Sequence, residues 1–357
     1  MHFVPYLHEQ ILSAWPVSVV VLLIALIGAG IMLAWVAVVA LVAVWAERKV
    51  SAHMQARLGP MYVGGFHGWL QTAADGLKLF LKEDIIPAMA DKWLFIQAPV
   101  LVFGGALLAY AAIPFGPKLV VSDINIGVFY ILAVSAIVAI GIIMAGWASH
   151  NKWSLYGGMR TAAQFLSYEI PSALHLMPVI MYAGTLNLGE IVQSQETGLF
   201  GWGGIFGWYA FRNPFLFLSF ICYYISSLAE TNRTPFDLPE TESELVAGFH
   251  TEYTGIRFSF FFMAEYADMF VVAALSTLLF CGGWNCVLPR SVQFVPDPVV
   301  FVLKCSAFIF LTMWLRWTLP RFRVDQLMAL CWKFLIPLGL LNIVGSGLWM
   351  YIFGQVK

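Results

Sequence analysis

Three carboxylic acids stand in stretches otherwise too apolar for water: Glu169 in LSYEIPSALHLMP, and Glu265 and Asp268 in MAEYADMF. A fourth, Glu230, closes another apolar run. Carboxyl groups at such depth can bind, release and pass protons, and each costs about 2.5–3.5 kcal/mol at a bilayer centre. Facing lipid, Glu169, Glu265 and Asp268 would together cost about 7–10 kcal/mol, comparable with the ~5–15 kcal/mol net stability of a domain. They are therefore expected to face the bundle interior or a hydrated cavity. Glu265 and Asp268, three residues apart, share one helix face. Glu169, Glu230 and Glu265, in successive spans, form a candidate proton relay. His175, six residues beyond Glu169, is read as a packing histidine, and Pro171 and Pro178 free helix carbonyls that water can bind.

The second concentration of acids is LAETNRTPFDLPETESELVAGFHTEY, Leu228 to Tyr253. Six of the chain's 20 acids (Glu230, Asp237, Glu240, Glu242, Glu244 and Glu252) fall here, against one Arg, Arg233. Pro239 is acceptable at the first position of a short helix, which would put Glu240 in its first turn. A helix dipole rewards such an acid by about 0.3–1 kcal/mol. That explains one or two of the acids, and six call for a function.

The elements that must position these groups follow from composition. Hydrophobic residues make up 61% of the 357 residues and charged residues 11%, less than half the charge of a typical soluble domain. Eight apolar segments, at about 16–45, 94–114, 126–148, 161–184, 213–230, 258–281, 299–319 and 334–354, have the lengths expected of membrane spans. The N-terminal MHFVPYLHEQ has no basic stretch, so the first span is expected to be retained. The reading is an all-α polytopic membrane protein forming one integral membrane domain over 1–357.

Fourteen Lys and Arg fall in the loops after odd-numbered spans and four on the opposite side, with Lys304 inside a span. Basic loops stay on the cytoplasmic side, so both termini are expected outside. In the first inside loop, Phe66, Leu70, Ala73, Leu77 and Phe80 recur at helical spacing beside Gln71, Asp75, Lys78 and Lys82. This predicts an amphipathic helix over about 66–83, lying along the interface. The five cysteines form no Cys-x-x-Cys pair, so no metal or cluster is expected, and a net charge of −1 gives no reason to expect nucleic acid.

Five stretches carry a family resemblance: ERKVSAHMQARLGP, GWASHNKWSLYGGMRTAAQFLSYEIP, AETNRTPFDLPETESELVAGFHTEY, FFMAEYADM and LRWTLPRFRVDQLMALCWKFLIPL. In this order they resemble the H subunit of respiratory complex I, NADH:quinone oxidoreductase, whose mitochondrial counterpart is subunit 1. The chain departs from the family at Met61 and Tyr62, where Asn-Arg is common, at Asp268, where Asn is common, and less notably at Trp317 and Cys331.

The resemblance implies the membrane-side part of a quinone chamber, built with peripheral subunits that carry the flavin, the iron–sulfur clusters and the NADH site. Quinone is then a substrate, and this chain alone holds no cofactor and has no activity in isolation. Glu47, Arg48, Arg57, Arg233 and Arg316 map to the quinone site. Asp237, Glu240, Glu242 and Glu244 map to an acidic coupling loop, and Glu169, Glu230 and Glu265 to a proton relay toward antiporter-like subunits. The implied partners are the other complex I subunits in a bacterial inner membrane or its organellar equivalent. Two alternatives stand beside this: the homologous subunit of a membrane-bound hydrogenase or related dehydrogenase, and a self-contained proton or cation transporter.

Overall fold

A computed structural model of the chain describes residues 17–196, 204–238, 242–286 and 295–353. Nine helices matter for the site: α1 (Val17–Met54), α2 (Gln71–Leu81), α3 (Lys92–Ala109), α4 (Gly127–Ala148), α5 (Lys152–Ala183), α6 (Pro214–Glu230), α7 (Gly255–Phe280), α8 (Asp297–Thr318) and α9 (Val324–Ile352). The described residues contain no strand. Six helices (α1, α3, α4, α7, α8 and α9) are long and apolar enough to cross a membrane, so the chain is an all-α polytopic membrane protein.

The other two expected spans differ from these six for physical reasons. At 32 residues α5 is long enough, but it carries Ser154, Thr161, Gln164, Ser167, Ser172 and His175 as buried polar groups. Protein surrounds this helix on several sides, since it packs against α4, α6 and α9. The 17-residue α6 is apolar but short, opened by the Asn213 cap, whose side chain accepts from Phe215 N, and by Pro214. Residues 16–45 were the expected first span, and α1 continues to Met54, which brings Glu47 and Arg48 onto the same helix.

Burial ranks the helices. In its most apolar stretch α7 has 67% of residues buried in protein, against 11% for α1. The acid-bearing helix is therefore central and α1 peripheral, and α7 packs on α1, α3, α6 and α8. Small residues set the closest approach of α3 and α4, where a Cβ on Gly141 would come within 2.6 Å of Val102 Cγ2. The amphipathic helix α2 has no buried residue, with Leu77 and Phe80 exposed. It starts later than the periodicity suggests, because His67 takes a left-handed φ of 64° that stops the preceding 3-10 turn, Phe66–Gly68, from joining it.

The proline in the middle of α5 has a specific compensation. Pro171 has no N–H to donate to the carbonyl of Ser167, four residues earlier. The thiol of Cys331 donates to that carbonyl at 2.9 Å, from a π-helical turn, Cys331–Leu335, inside α9. His175 Nδ1 lies 2.6 Å from the Pro171 carbonyl, and its Nε2 is buried without a hydrogen-bond partner among the described residues.

Candidate functional site: a charged cavity and a file of carboxylates

The acidic segment is held in place by polar side chains and by close packing. Gln164 on α5 donates through Nε2 to the carbonyls of Ala229 (2.7 Å) and Phe236 (2.9 Å) and to Asn232 Oδ1 (3.2 Å). Asn232 turns the chain just after α6 with a φ of 51°, a conformation Asn tolerates. At the other end of the segment, a Cβ on Gly157 would meet Phe249 N at 2.7 Å, so only glycine lets α5 approach there.

With its base fixed in this way, the segment brings Arg233 into the bundle. Only 5% exposed, Arg233 has its guanidinium 4.4 Å from the ring centre of Tyr266. One of its nitrogens lies 3.4 Å from Glu47 Oε2, and another lies 3.4 Å from Glu265 Oε2. Glu47 also accepts from Arg316 on its Oε1 and from the Tyr266 hydroxyl at 2.7 Å on its Oε2. Four elements (α1, the loop after α6, α7 and α8) thus meet in one buried ionic cluster.

The cluster forms one wall of a cavity of about 360 Å³. All five residues assigned by resemblance to quinone binding, Glu47, Arg48, Arg57, Arg233 and Arg316, line it, as does Glu265. Phe258, Phe262, Tyr266 and Trp317 supply aromatic surface, and His250 a ring nitrogen. These five were missed in the sequence, because contributions from separate loops and helices leave no local pattern. Trp317 follows Arg316 and Tyr266 follows Glu265, which is the adjacency that could have pointed to them.

Two smaller spaces lie beyond this cavity, the first sharing Phe261 and Glu265 with it and the second sharing Glu230 and Asp268 with the first. One of about 20 Å³ is lined by Glu265, Asp268 and Glu230, and one of about 40 Å³ by Asp268 and Glu230. Glu265 borders both the main cavity and the first of these. The charges of Glu169 and Asp268 act on Glu230, and that of Glu265 on Asp268, so the four acids form an electrostatically connected file. Glu230 Oε1 is buried, and the Ser172 hydroxyl faces this carboxyl. Glu169 is half-buried on α5 and lines none of these three spaces.

The remaining acids of the loop have separate partners. Asp237 pairs with Arg321 at 2.9 Å, and burial pushes its carboxyl above the usual range while Arg321 pulls it back. Glu244 pairs with Arg160 at 2.6 Å on the surface, and Glu252 accepts from Asn151 Nδ2 at 2.6 Å. Asn151 also caps α5 by accepting from Trp153 N, so Glu252 serves the fold. Glu242 opens the short helix Glu242–Leu245, and Glu240 lies outside the described residues. Arg48, which lines the cavity, pairs with Asp75 at 2.6 Å and ties α2 to α1.

A cavity with aromatic walls and several guanidinium donors suits a flat, uncharged ring bearing carbonyl acceptors, and its size falls in the range of small-molecule sites. The file of acids beside it suits proton transfer. The family described as NADH dehydrogenase matches residues 27–347. The H subunit of NADH-quinone oxidoreductase from Chlorobaculum tepidum is 49% identical over 334 residues, covering 91% of this chain and 92% of that protein. The protein of the same name from Bacillus cytotoxicus is 51% identical over 308 residues, covering 86% and 88%. That from Anaeromyxobacter dehalogenans is 43% identical over 362 residues, covering 96% and 84%. On a match that runs through nearly every helix described above, the chain belongs to the NADH dehydrogenase family, among the proteins named as the H subunit of NADH-quinone oxidoreductase.

Proposed function

We propose that this chain forms the membrane side of a quinone-binding chamber in a proton-pumping NADH:quinone oxidoreductase of a bacterial inner membrane. It does so as one integral membrane unit, with both termini on the outer side and α2 lying along the interface. The observation that carries this reading is the junction at Glu265, which lines both the charged cavity and the first space of the carboxylate file. Arg48, Arg57, Arg233 and Arg316 are the donors available to quinone carbonyls, with Glu47 holding Arg233 and Arg316 in place. Flavin, iron–sulfur clusters and NADH belong to partner subunits, so the isolated chain has no activity of its own.

Coupling follows from electrostatics. A unit charge appearing about 4 Å from a carboxyl group changes its energy by about 4 kcal/mol at an effective dielectric near 20. One pKa unit is about 1.4 kcal/mol, so charge arriving in the cavity changes the proton affinity of Glu265 by orders of magnitude. The change passes along Asp268, Glu230 and Glu169. Asp237, Glu240, Glu242 and Glu244 form the acidic loop that couples the chamber to this relay.

Two substitutions in the complete complex test the reading. Arg316→Ala is expected to raise the KM for quinone at least about tenfold, since losing a charged hydrogen bond costs about 1.5–3 kcal/mol. Glu265→Gln is expected to lower pumped protons per quinone reduced while the complex still assembles. An unchanged KM in the first together with an unchanged pumping ratio in the second would sink the proposal.

A further inference from the structure

His250 ends the 3-10 turn Gly248–His250, on the approach to α7, and lines the main cavity together with Arg57, Arg233 and Glu265. Its ring stands edge-on to Phe249 (centroids 5.0 Å apart) and to Phe258 (5.3 Å), which fixes its plane. Apart from Glu265, the other charged walls of the cavity cannot exchange protons freely. Guanidinium groups keep their protons in proteins, a phenol ordinarily titrates near pH 10, and Glu47 is engaged with two arginines. Among the described residues that line the cavity, His250 alone is of a type whose ordinary titration falls near neutrality.

We propose that His250 carries protons between the cavity and Glu265, a role that deepens the quinone-chamber reading and rests on it. In the neutral ring, the N–H bond on one nitrogen breaks toward an acceptor in the cavity, water or the quinone. A new N–H bond forms on the other nitrogen with a proton from the Glu265 carboxyl group. No electron moves, and the ring stays neutral overall while Glu265 gains the negative charge. Cavity water that takes the proton from the second nitrogen and returns one to the first then restores the first tautomer, with no net change of charge.

The surroundings favour the neutral ring. Burial holds the imidazole below the usual histidine range, with the Glu265 charge pulling it back up. Of the cavity groups, Glu47 and Glu265 are the acids and Arg48, Arg57, Arg233 and Arg316 the cations, and the charge of Glu265 bears on the ring. The turn also packs on α4, which has no charged residue, and on α5, whose Arg160 is held by Glu244. On α7, Arg257 is paired with Asp84.

A doubly protonated ring cannot accept from Glu265, so transfer falls as pH drops, with its midpoint below about 6.5. The test is His250→Asn in the complete complex, reconstituted in liposomes at matched complex content and followed from acid to neutral pH. The expected result is at least about a tenfold loss of coupled proton transport at neutral pH, together with loss of the acid limb of the profile. A wild-type limb and pumping ratio would overturn the proposal. So would an equal fall at every pH, tracking complex content, in both His250→Asn and His250→Gln. The KM for quinone in Arg316→Ala, measured alongside, separates two failures. An unchanged KM breaks the chamber reading, whereas a raised KM with a wild-type profile for His250→Asn breaks only the role of His250.

Discussion

Two basic side chains pack against α7, one at its middle and one beyond its C-terminus, and the two are held in opposite ways. Midway along the helix, buried Arg233 lies over Tyr266 at 4.4 Å, between the carboxylates of Glu47 and Glu265. At the far end, Lys304 lies over Trp208 at 4.2 Å, and its Nζ donates to the carbonyls of Cys281 (2.7 Å), Gly283 (3.1 Å) and Asn285 (2.5 Å). Carbonyls cannot take up a proton, so Lys304 acts as a fixed cap on the orphan carbonyls beyond the helix C-terminus. Carboxylates can, and a cavity reaches those around Arg233. The same kind of aromatic platform therefore supports a static cap beyond the helix C-terminus and an exchangeable charge network at its middle.

The strongest way to break this contrast is Glu47→Ala. It leaves Arg233 and Arg316 without the carboxylate they share and should cost about 3–5 kcal/mol, read by denaturation of the purified complex, with quinone turnover lost as well. A cost under about 1 kcal/mol would mean that the cluster is not a paired-charge network. Next is Lys304→Met, expected to cost about 2–3 kcal/mol of stability by the same measurement. Its KM for quinone and its pumping ratio should stay at wild-type values, and a change in either would make the cap part of the working site.

Tyr266→Phe keeps the ring beneath Arg233 and removes only the hydroxyl that donates to Glu47. It should cost about 1.5 kcal/mol and raise the KM for quinone modestly, sharpening how much Glu47 depends on that donor. The smallest effect is expected at Asp237→Asn, within about 1 kcal/mol, because Arg321 is partly exposed. Its sign with pH is specific. Burial raises the Asp237 carboxyl in the folded state, so the native protein holds this proton more tightly than the unfolded chain. The native protein therefore loses stability as pH rises from the ordinary aspartate range through the raised value, and this component should vanish in the variant.

Much of the architecture was legible because a bilayer imposes length and apolarity on each segment locally. The six long apolar helices could be found in this way, and so could the acids whose cost in lipid implied burial. Polar side chains lower the apolarity of α5, so it is long but fails that criterion, and only its neighbours α4, α6 and α9 explain why those groups are tolerated. The acidic segment could be seen as a concentration of charge, but its members turned out to have different partners. Asp237 faces Arg321, Glu244 faces Arg160, and Glu252 faces the cap of α5.

What the sequence by itself determined was therefore chemical type and depth: which segments are apolar, which acids interrupt them, and which motifs resemble a membrane subunit of complex I. Covalent order and residue chemistry suffice for that, since each run or motif is complete within a few turns of chain. Only the tertiary structure decided that Glu47, Arg233, Glu265, Tyr266 and Arg316 share one cluster. Only it placed His250 on the wall of the same cavity. Glu47 and Arg316 are 269 positions apart, and no local periodicity encodes a contact that depends on how α1, α7 and α8 pack.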